Sequence, residues 1–312
     1  MELKSQLFSC FFTNTNTMKK IISFHAAKGS TVRIMLKKNL LILIMIFLGL
    51  SVFANPKMAS KQQIGMFINS KTCVVLESGS LSYNVLIKDA VQKYWKSTEF
   101  EFIDQYEFEK RRYDSKYSFL VLMRNVFDKD PSGVGYNYIS LVLGDKAKNI
   151  TNMPELCCIP ISYSDDNNLE YGYAIPAIIK FMQIHVKNLE KKRFLILLKG
   201  LKYYNGSDCF KYQALLLNEK MMAPNANSDA KIKSAYQHFF MLLNTSQVEA
   251  EIPNKPTNTL FLFHVGPTIK TGSGKCFEMI FDVEGNLYYY NYRNVTNDNP
   301  DGFNLNDFKH IR

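Results

Sequence analysis

Two blocks of the chain carry the same rhythm of apolar and polar positions. In the first, Thr72-Cys-Val-Val-Leu76 is a buried-strand run, and Tyr83, Leu86, Ile87, Ala90 and Tyr94 follow at the spacing of one helix face. Phe100-Glu-Phe-Ile103 is a short extended run. Asp104, with Glu107 three residues on, predicts a capping box that opens a second short helix through Arg112. Tyr117-Ser-Phe-Leu-Val-Leu-Met123 then predicts a strand. After the turn at Asp130-Pro-Ser-Gly133, Tyr136–Leu143 predicts its antiparallel neighbour.

The carboxy-terminal block repeats this grammar. Tyr212–Leu217 predicts a strand, and after Ser228-Asp229 the residues Ile232, Ala235, Tyr236, Phe239 and Leu243 predict an amphipathic helix. Thr259–Val265, a Gly-rich turn and Cys276–Phe281 complete it. Leu76 and Leu217, like Phe119 and Leu260, lie 141 residues apart. The fold class is therefore read as α/β with a mixed sheet: two similar strand-helix-strand-strand halves, at about 71–145 and 212–285, joined by a helix. The second half has more residues before its helix and fewer after it, which predicts loss of a run equivalent to Phe100–Ile103. Between the halves, Ile175, Ile178, Ile179, Met182, Val186 and Leu189 form one stripe, with Pro176 suited to a first helical turn. Phe194–Leu198 reads equally as strand or as more helix. The tail holds a strand at Leu287–Tyr292, a polar loop and a short helix from Asn306.

Ahead of these blocks lies an export signal. Met35-Leu-Lys-Lys38 precedes an unbroken apolar run of eleven residues, Leu40–Leu50, and then Ser51-Val-Phe-Ala54. A basic start, a short apolar run and small residues at the boundary are the parts of a secretory signal. The run falls short of the roughly 20 residues that span a bilayer. Three segments follow from this: 1–34, an upstream non-native start or a disordered tail; 35–54, a signal peptide or an uncleaved anchor; and 55–312, the duplicated α/β domain. Cleavage after Ala54 would begin the mature chain at Asn55.

Charge and cysteines narrow the function classes. The net charge of +10 is uneven: residues 1–54 hold seven Lys/Arg and one Asp/Glu, leaving 31 against 27 afterwards. A body so nearly balanced gives no basic patch for nucleic acid. Five cysteines follow the leader, Cys73, Cys157, Cys158, Cys209 and Cys276. An odd number leaves at least one thiol unpaired. Cys73 and Cys276 sit in apolar runs, where a free Cys acts as a small hydrophobe, and the adjacent Cys157-Cys158 is unsuited to tetrahedral zinc or to a mutual bridge.

Searching for chemistry returns mostly absences. There is no GxSxG elbow and no HExxH. His185, His238, His264 and His310 show no spacing that puts two imidazoles on one helix face, so His264 reads as a structural strand histidine and His238 as part of the second-half helix. Thr271-Gly-Ser-Gly-Lys275 lacks the first glycine and the Ser/Thr of a phosphate loop and reads as a hairpin turn. The best cation-like stretch is Asn297-Asp-Asn-Pro-Asp-Gly302. There Asn297, Asn299 and Asp301 alternate as oxygen donors, but Phe308 stands where a calcium loop wants its bidentate Glu. No catalytic residue and no cofactor is assigned. Tyr288, Tyr290 and Tyr292 share one strand face and form the candidate partner-binding platform.

The order strand, helix, extended run, capped helix, strand, strand, with Asp89–Trp95 leading to Glu101–Asp104 and Glu107-Phe108, resembles small α/β modules of bacterial envelope proteins. The TolB amino-terminal domain and the periplasmic domains of curli-secretion proteins are of this kind. The likeness covers 71–143 and, more weakly, 212–283, and Asp282–Tyr288 is similar to a segment of exported bacterial proteins of unknown function. Known modules of this type mainly bind partners. The resemblance implies an exported, periplasmic or envelope-membrane-associated module, non-catalytic, whose partners are other envelope proteins and which touches membrane only through its signal or anchor. The alternative is a hydrolase or small-ligand enzyme with a dispersed site.

Overall fold

The computed structural model of the chain describes residues 58–127, 135–163, 170–252, 259–267 and 274–311. Residues 35–54, read from the sequence as an export signal, the turn at 130–133, the 165–168 stretch and the glycine turn before Gly274 lie outside the described residues. Helix α1 (Lys61–Ile68) opens the body with a reciprocal cap, in which Ser60 Oγ accepts from Gln63 N–H and Gln63 Oε1 from Ser60 N–H. It leads into β1 (Lys71–Val75), α2 (Leu81–Tyr94), β2 (Phe100–Ile103), α3 (Gln105–Arg111), β3 (Tyr117–Val126), β4 (Gly135–Leu143) and β5 (Glu155–Tyr163). Strand β1 pairs in parallel with β2 and β3, and β3, β4 and β5 run antiparallel, giving the order β2-β1-β3-β4-β5.

The second half builds the same sheet. Its elements are β6 (Ala214–Asn218), α5 (Asp229–Lys233), β7 (Phe240–Leu243), α6 (Thr245–Glu251), β8 (Thr259–Val265), β9 (Gly274–Asp282), β10 (Leu287–Val295) and α7 (Leu305–Phe308). The order β10-β9-β8-β6-β7, with β6 parallel to β7 and β8, repeats the first half strand for strand. The α/β class and the two similar halves stand as the sequence reading has them.

Three local expectations are corrected. The helix read across Ile232–Leu243 stops at Lys233, and Phe240–Leu243 pairs with β6 as the strand the second half was expected to lack. Backbone pairing overrides the apparent period there, and Asn244, whose side chain accepts from Gln247 N–H, caps the next helix just as Asp104 caps α3. His238 accordingly sits in the connection before β7, its ring 5.3 Å from that of Tyr236, and not in a helix. The third correction is β5, for which Cys157-Cys158 gave no signal. Its Pro160 is tolerable because β5 is an edge strand with a register shift opposite Tyr138.

Between the halves runs α4 (Ile175–Lys199), which continues through Phe194–Leu198 and breaks its helical geometry at Lys192. Its buried stripe packs on both halves. Gln183 Nε2 donates to Tyr94 O of α2, while the Phe181 and Phe281 rings lie 5.6 Å apart in the second half. Phe181 is fully buried, so Phe181→Ala removes about 3–5 kcal/mol. Residues 56–312 form one compact unit, and no described helix is long and apolar enough to cross a membrane.

Candidate functional site

Strand β6 leads through α5 to β7 on one side, while β8 lies on its other side, so the connections part company at the carboxyl ends of β6 and β8. Parallel sheets bind ligands at such a divide, because the two diverging loops leave a crevice between them. A cleft of about 920 Å³ opens there. Glu219 to Met222 form one wall, Phe263 to Pro267 and Val295 to Gly302 the second, and Tyr163, Glu170 and Tyr171 close it from the first half. Lys220 Nζ meets Glu170 Oε1 at 2.7 Å across this gap.

Beneath one wall lies a buried polar cluster on the outer face of the second sheet. His264 of β8 and Glu278 of β9 are register partners, and Cys276 lies two residues before Glu278 on the same side. His264 Nε2 and Asp301 Oδ1 are 3.0 Å apart. Despite that distance neither atom completes a hydrogen bond with a described residue. Burial by itself would lower the His264 value, but the Asp301 charge outweighs it and holds the imidazole well above its ordinary range. Burial raises Cys276, whose thiol is fully enclosed, and His264 pulls the other way. Donor atoms of His264, Cys276 and Asp301 all fall within 4.8 Å of one another.

Arg293 organises the covering segment. Its Nε donates to Glu278 Oε1 at 3.2 Å, its Nη1 to Asn299 O at 3.1 Å and its Nη2 to Gly302 O at 2.6 Å. One guanidinium thus ties β9 to the turn that carries Asp301. The pairing of Ala223 N–H with Phe303 O, and of Phe303 N–H with Met221 O, fixes the same turn from the opposite side. Two glycines make room. A side chain on Gly266 would overlap the Asp301 carboxylate, and Gly302, at φ +100°, has the Met222 and Ala223 backbone where a Cβ would sit. Glu278 is fully buried; burial and the neighbouring Asp307 carboxyl push it up against the pull of Arg293.

The residues singled out in the sequence are scattered. Asn297, Asn299 and Asp301 lie together in the loop after β10, but Asp301 Oδ1 lies 3.0 Å from His264 Nε2, and Asn299 gives its backbone oxygen to Arg293. The loop itself is closed by reciprocal backbone bonds between Thr296 and Asn299. Tyr288, Tyr290 and Tyr292 lie on β10, which is the edge of the second sheet. Tyr288 OH donates to Asp282 Oδ2 at 3.0 Å, and Tyr290 helps line a cavity of about 370 Å³ against the first half. The Asn205 side chain occupies the Tyr290 edge like a one-residue strand, accepting from its N–H and donating to its carbonyl. Tyr292 remains half exposed, with Lys202 and Lys275 over its ring. His185 is buried in α4 against Tyr204 OH, 2.8 Å away, and burial pushes it down to about 4. Cys73, Cys157, Cys158, Cys209 and Cys276 are all free thiols.

The sequence reading took His264 as a structural histidine, Cys276 as a small hydrophobe and Asp301 as a loop oxygen, and passed over Glu278 and Arg293. A signal existed: His264 and Glu278 each interrupt an otherwise apolar strand, on positions that alternation buries. Known protein families, curated proteins and solved structures were compared with the chain, and none of them matches it.

Proposed function

We propose that this is an exported protein of the bacterial cell envelope that acts as a non-catalytic binding module, receiving a segment of a partner protein in the cleft at the carboxyl ends of β6 and β8. The observation that carries the reading is the cleft itself. It is about 920 Å³ in volume, set at the divide between diverging connections and walled by both apolar and polar groups. Tyr171 offers aromatic surface, while Glu170, Glu219 and Lys220 offer charge. A binding role fits better than a hydrolytic one because no cysteine is among the described residues that line the cleft, and Cys276, beneath its wall, is fully enclosed. The resemblance of the element order, as read in the sequence, to envelope binding modules leads to the same reading, and the basic, apolar and small-residue succession at 35–54 supports export.

Site-specific photocrosslinking in the native envelope tests it. A crosslinker at Asn227, on the exposed cleft rim, is expected to trap one discrete partner. The same group at Tyr106, exposed on α3 of the first half, is expected to trap none. Equal labelling from both positions, or recovery of the chain in the cytoplasmic fraction, would contradict the proposal.

A further inference from the structure

Three side chains of unlike donor chemistry, drawn from three different segments, converge where the cleft meets the second sheet. We propose that His264, Cys276 and Asp301 bind a single divalent transition-metal ion of the zinc class, with a fourth coordination position facing the cleft. The inference goes beyond the binding-module reading and does not depend on it.

The spacing fits. A tetrahedral ion with bonds of about 2.0–2.3 Å sets its ligand atoms roughly 3.3–3.8 Å apart. The donors of this set already lie within 4.8 Å of one another, so side-chain adjustments of about 1 Å close them on an ion. The alignment fits as well. A histidine and an aspartate kept only as an ion pair would point donor at acceptor, yet Nε2 and Oδ1 stand 3.0 Å apart with neither hydrogen-bonded to a described residue. Two buried polar atoms left this close without a hydrogen bond call for a further partner, and one ion shared between them supplies it. The His264 side chain is only 7 % exposed, so leaving its nitrogen unpaired carries a cost that a metal bond would remove.

The surroundings hold the set in place. Gly266 leaves the volume into which the Asp301 carboxylate fits, and Arg293 fixes the turn that carries it. Metal binding displaces the Cys276 thiol proton as the thiolate forms, and Glu278 Oε1, 3.9 Å from Sγ and paired with Arg293, is placed to take it. Supporting groups of this kind orient metal ligands from outside the coordination sphere. One imidazole, one thiolate and one carboxylate suit zinc, cobalt or copper. Calcium and magnesium favour oxygen alone. Both His264 and Asp301 line the cleft, so an ion held between them has a route in and an open side.

Cobalt(II) is the probe, because a thiolate ligand gives it a near-ultraviolet charge-transfer band. The full chain, reduced and stripped by chelator, is expected to take up one equivalent with that band and to release it to zinc. Cys276→Ser should abolish the band and Cys158→Ser should retain it. Asp301→Asn and His264→Gln should each weaken binding at least tenfold, the lower end of what loss of even an outer partner costs. No band at one equivalent, or a band that survives Cys276→Ser, would overturn the site. If Cys276→Ser does not fold by circular dichroism, the other two variants decide, and unchanged affinity in both overturns it equally.

Discussion

The two halves share one topology and differ most at equivalent positions of their sheets. In the first half Met123 of β3 is paired with Tyr138 of β4; in the second, 141 residues on, His264 of β8 is paired with Glu278 of β9. Around Met123 the outer face of the first sheet is covered by the apolar Ile150 and Met153, while its ionisable groups, Glu101 of β2 with Arg111 and Glu155 of β5, lie at other positions. The corresponding face of the second sheet meets Asp301 and Asp307 from the tail, with Arg293 between. A duplicated scaffold therefore shows what packing alone requires at these positions, and it does not require ionisable groups. The polar cluster of the second half is an addition to the fold.

That contrast can be broken at its buried arginines. Arg293 neutralises Glu278, which has no access to water, whereas Arg112, the buried arginine of the first half, pairs with Glu109, whose side chain is 62 % exposed. Arg293→Met leaves buried Glu278 without its cation and forfeits the bonds to Asn299 O and Gly302 O, and is expected to lower the free energy of unfolding by about 3–5 kcal/mol. Arg112→Met leaves Glu109 in water and forfeits bonds to Ala147 O and Lys148 O, for about 1–2 kcal/mol. Chemical denaturation of both variants measures the difference, and equal losses would erase the distinction between the faces.

A second contrast concerns acids. Glu155, at the cavity between the halves, has the Cys158 thiol as its side-chain hydrogen-bond partner, and burial pushes it up to about 7 from an ordinary 4.5. Since the folded state holds this proton more tightly than the unfolded chain does, its contribution is fully present below about pH 4.5 and is lost as pH rises through 7. Allowing for partial solvation by the cavity, the loss amounts to about 2 kcal/mol. Glu155→Gln should flatten stability across that window, as followed by thermal unfolding at stepped pH. A slope unchanged by the substitution would mean that the carboxyl is solvated.

The smallest expected effect lies in the turn that carries Asp301. Gly302→Ala combines a left-handed backbone with overlap on Met222 and Ala223 and should cost about 1–2 kcal/mol. Its cobalt affinity should fall by more than the stability loss explains, because the turn that aims Asp301 has moved. Stability lost with affinity intact would show that the turn does not position the carboxylate.

The duplication was legible because alternation and helical spacing recur at a fixed offset, as Leu76 with Leu217 and Phe119 with Leu260 illustrate. The boundary between α5 and β7 was not, since Ile232, Tyr236 and Leu243 fit a helical period while the pairing of Phe240–Leu243 with β6 decides the backbone. The cluster was hidden for a related reason. Its members come from two strands and a loop 37 residues apart at the extremes, and only the antiparallel register of β8 on β9 and the fold of the tail over the sheet bring His264, Cys276 and Asp301 together.

The central claim is that this cluster serves binding and is not needed for folding, and the double variant His264→Met, Asp301→Asn tests it most directly. It places at 264 the residue found at 123, in the equivalent register of the first half, and removes the paired charge. Replacing a buried ion pair by packed neutral groups is often neutral or stabilising. Unfolding free energy and cobalt binding would be measured on the same preparation. The account predicts stability within about 1 kcal/mol of the parent, or above it, with no cobalt bound. A loss of more than about 3 kcal/mol would show that the pair is there to hold the sheet together, and would contradict the account.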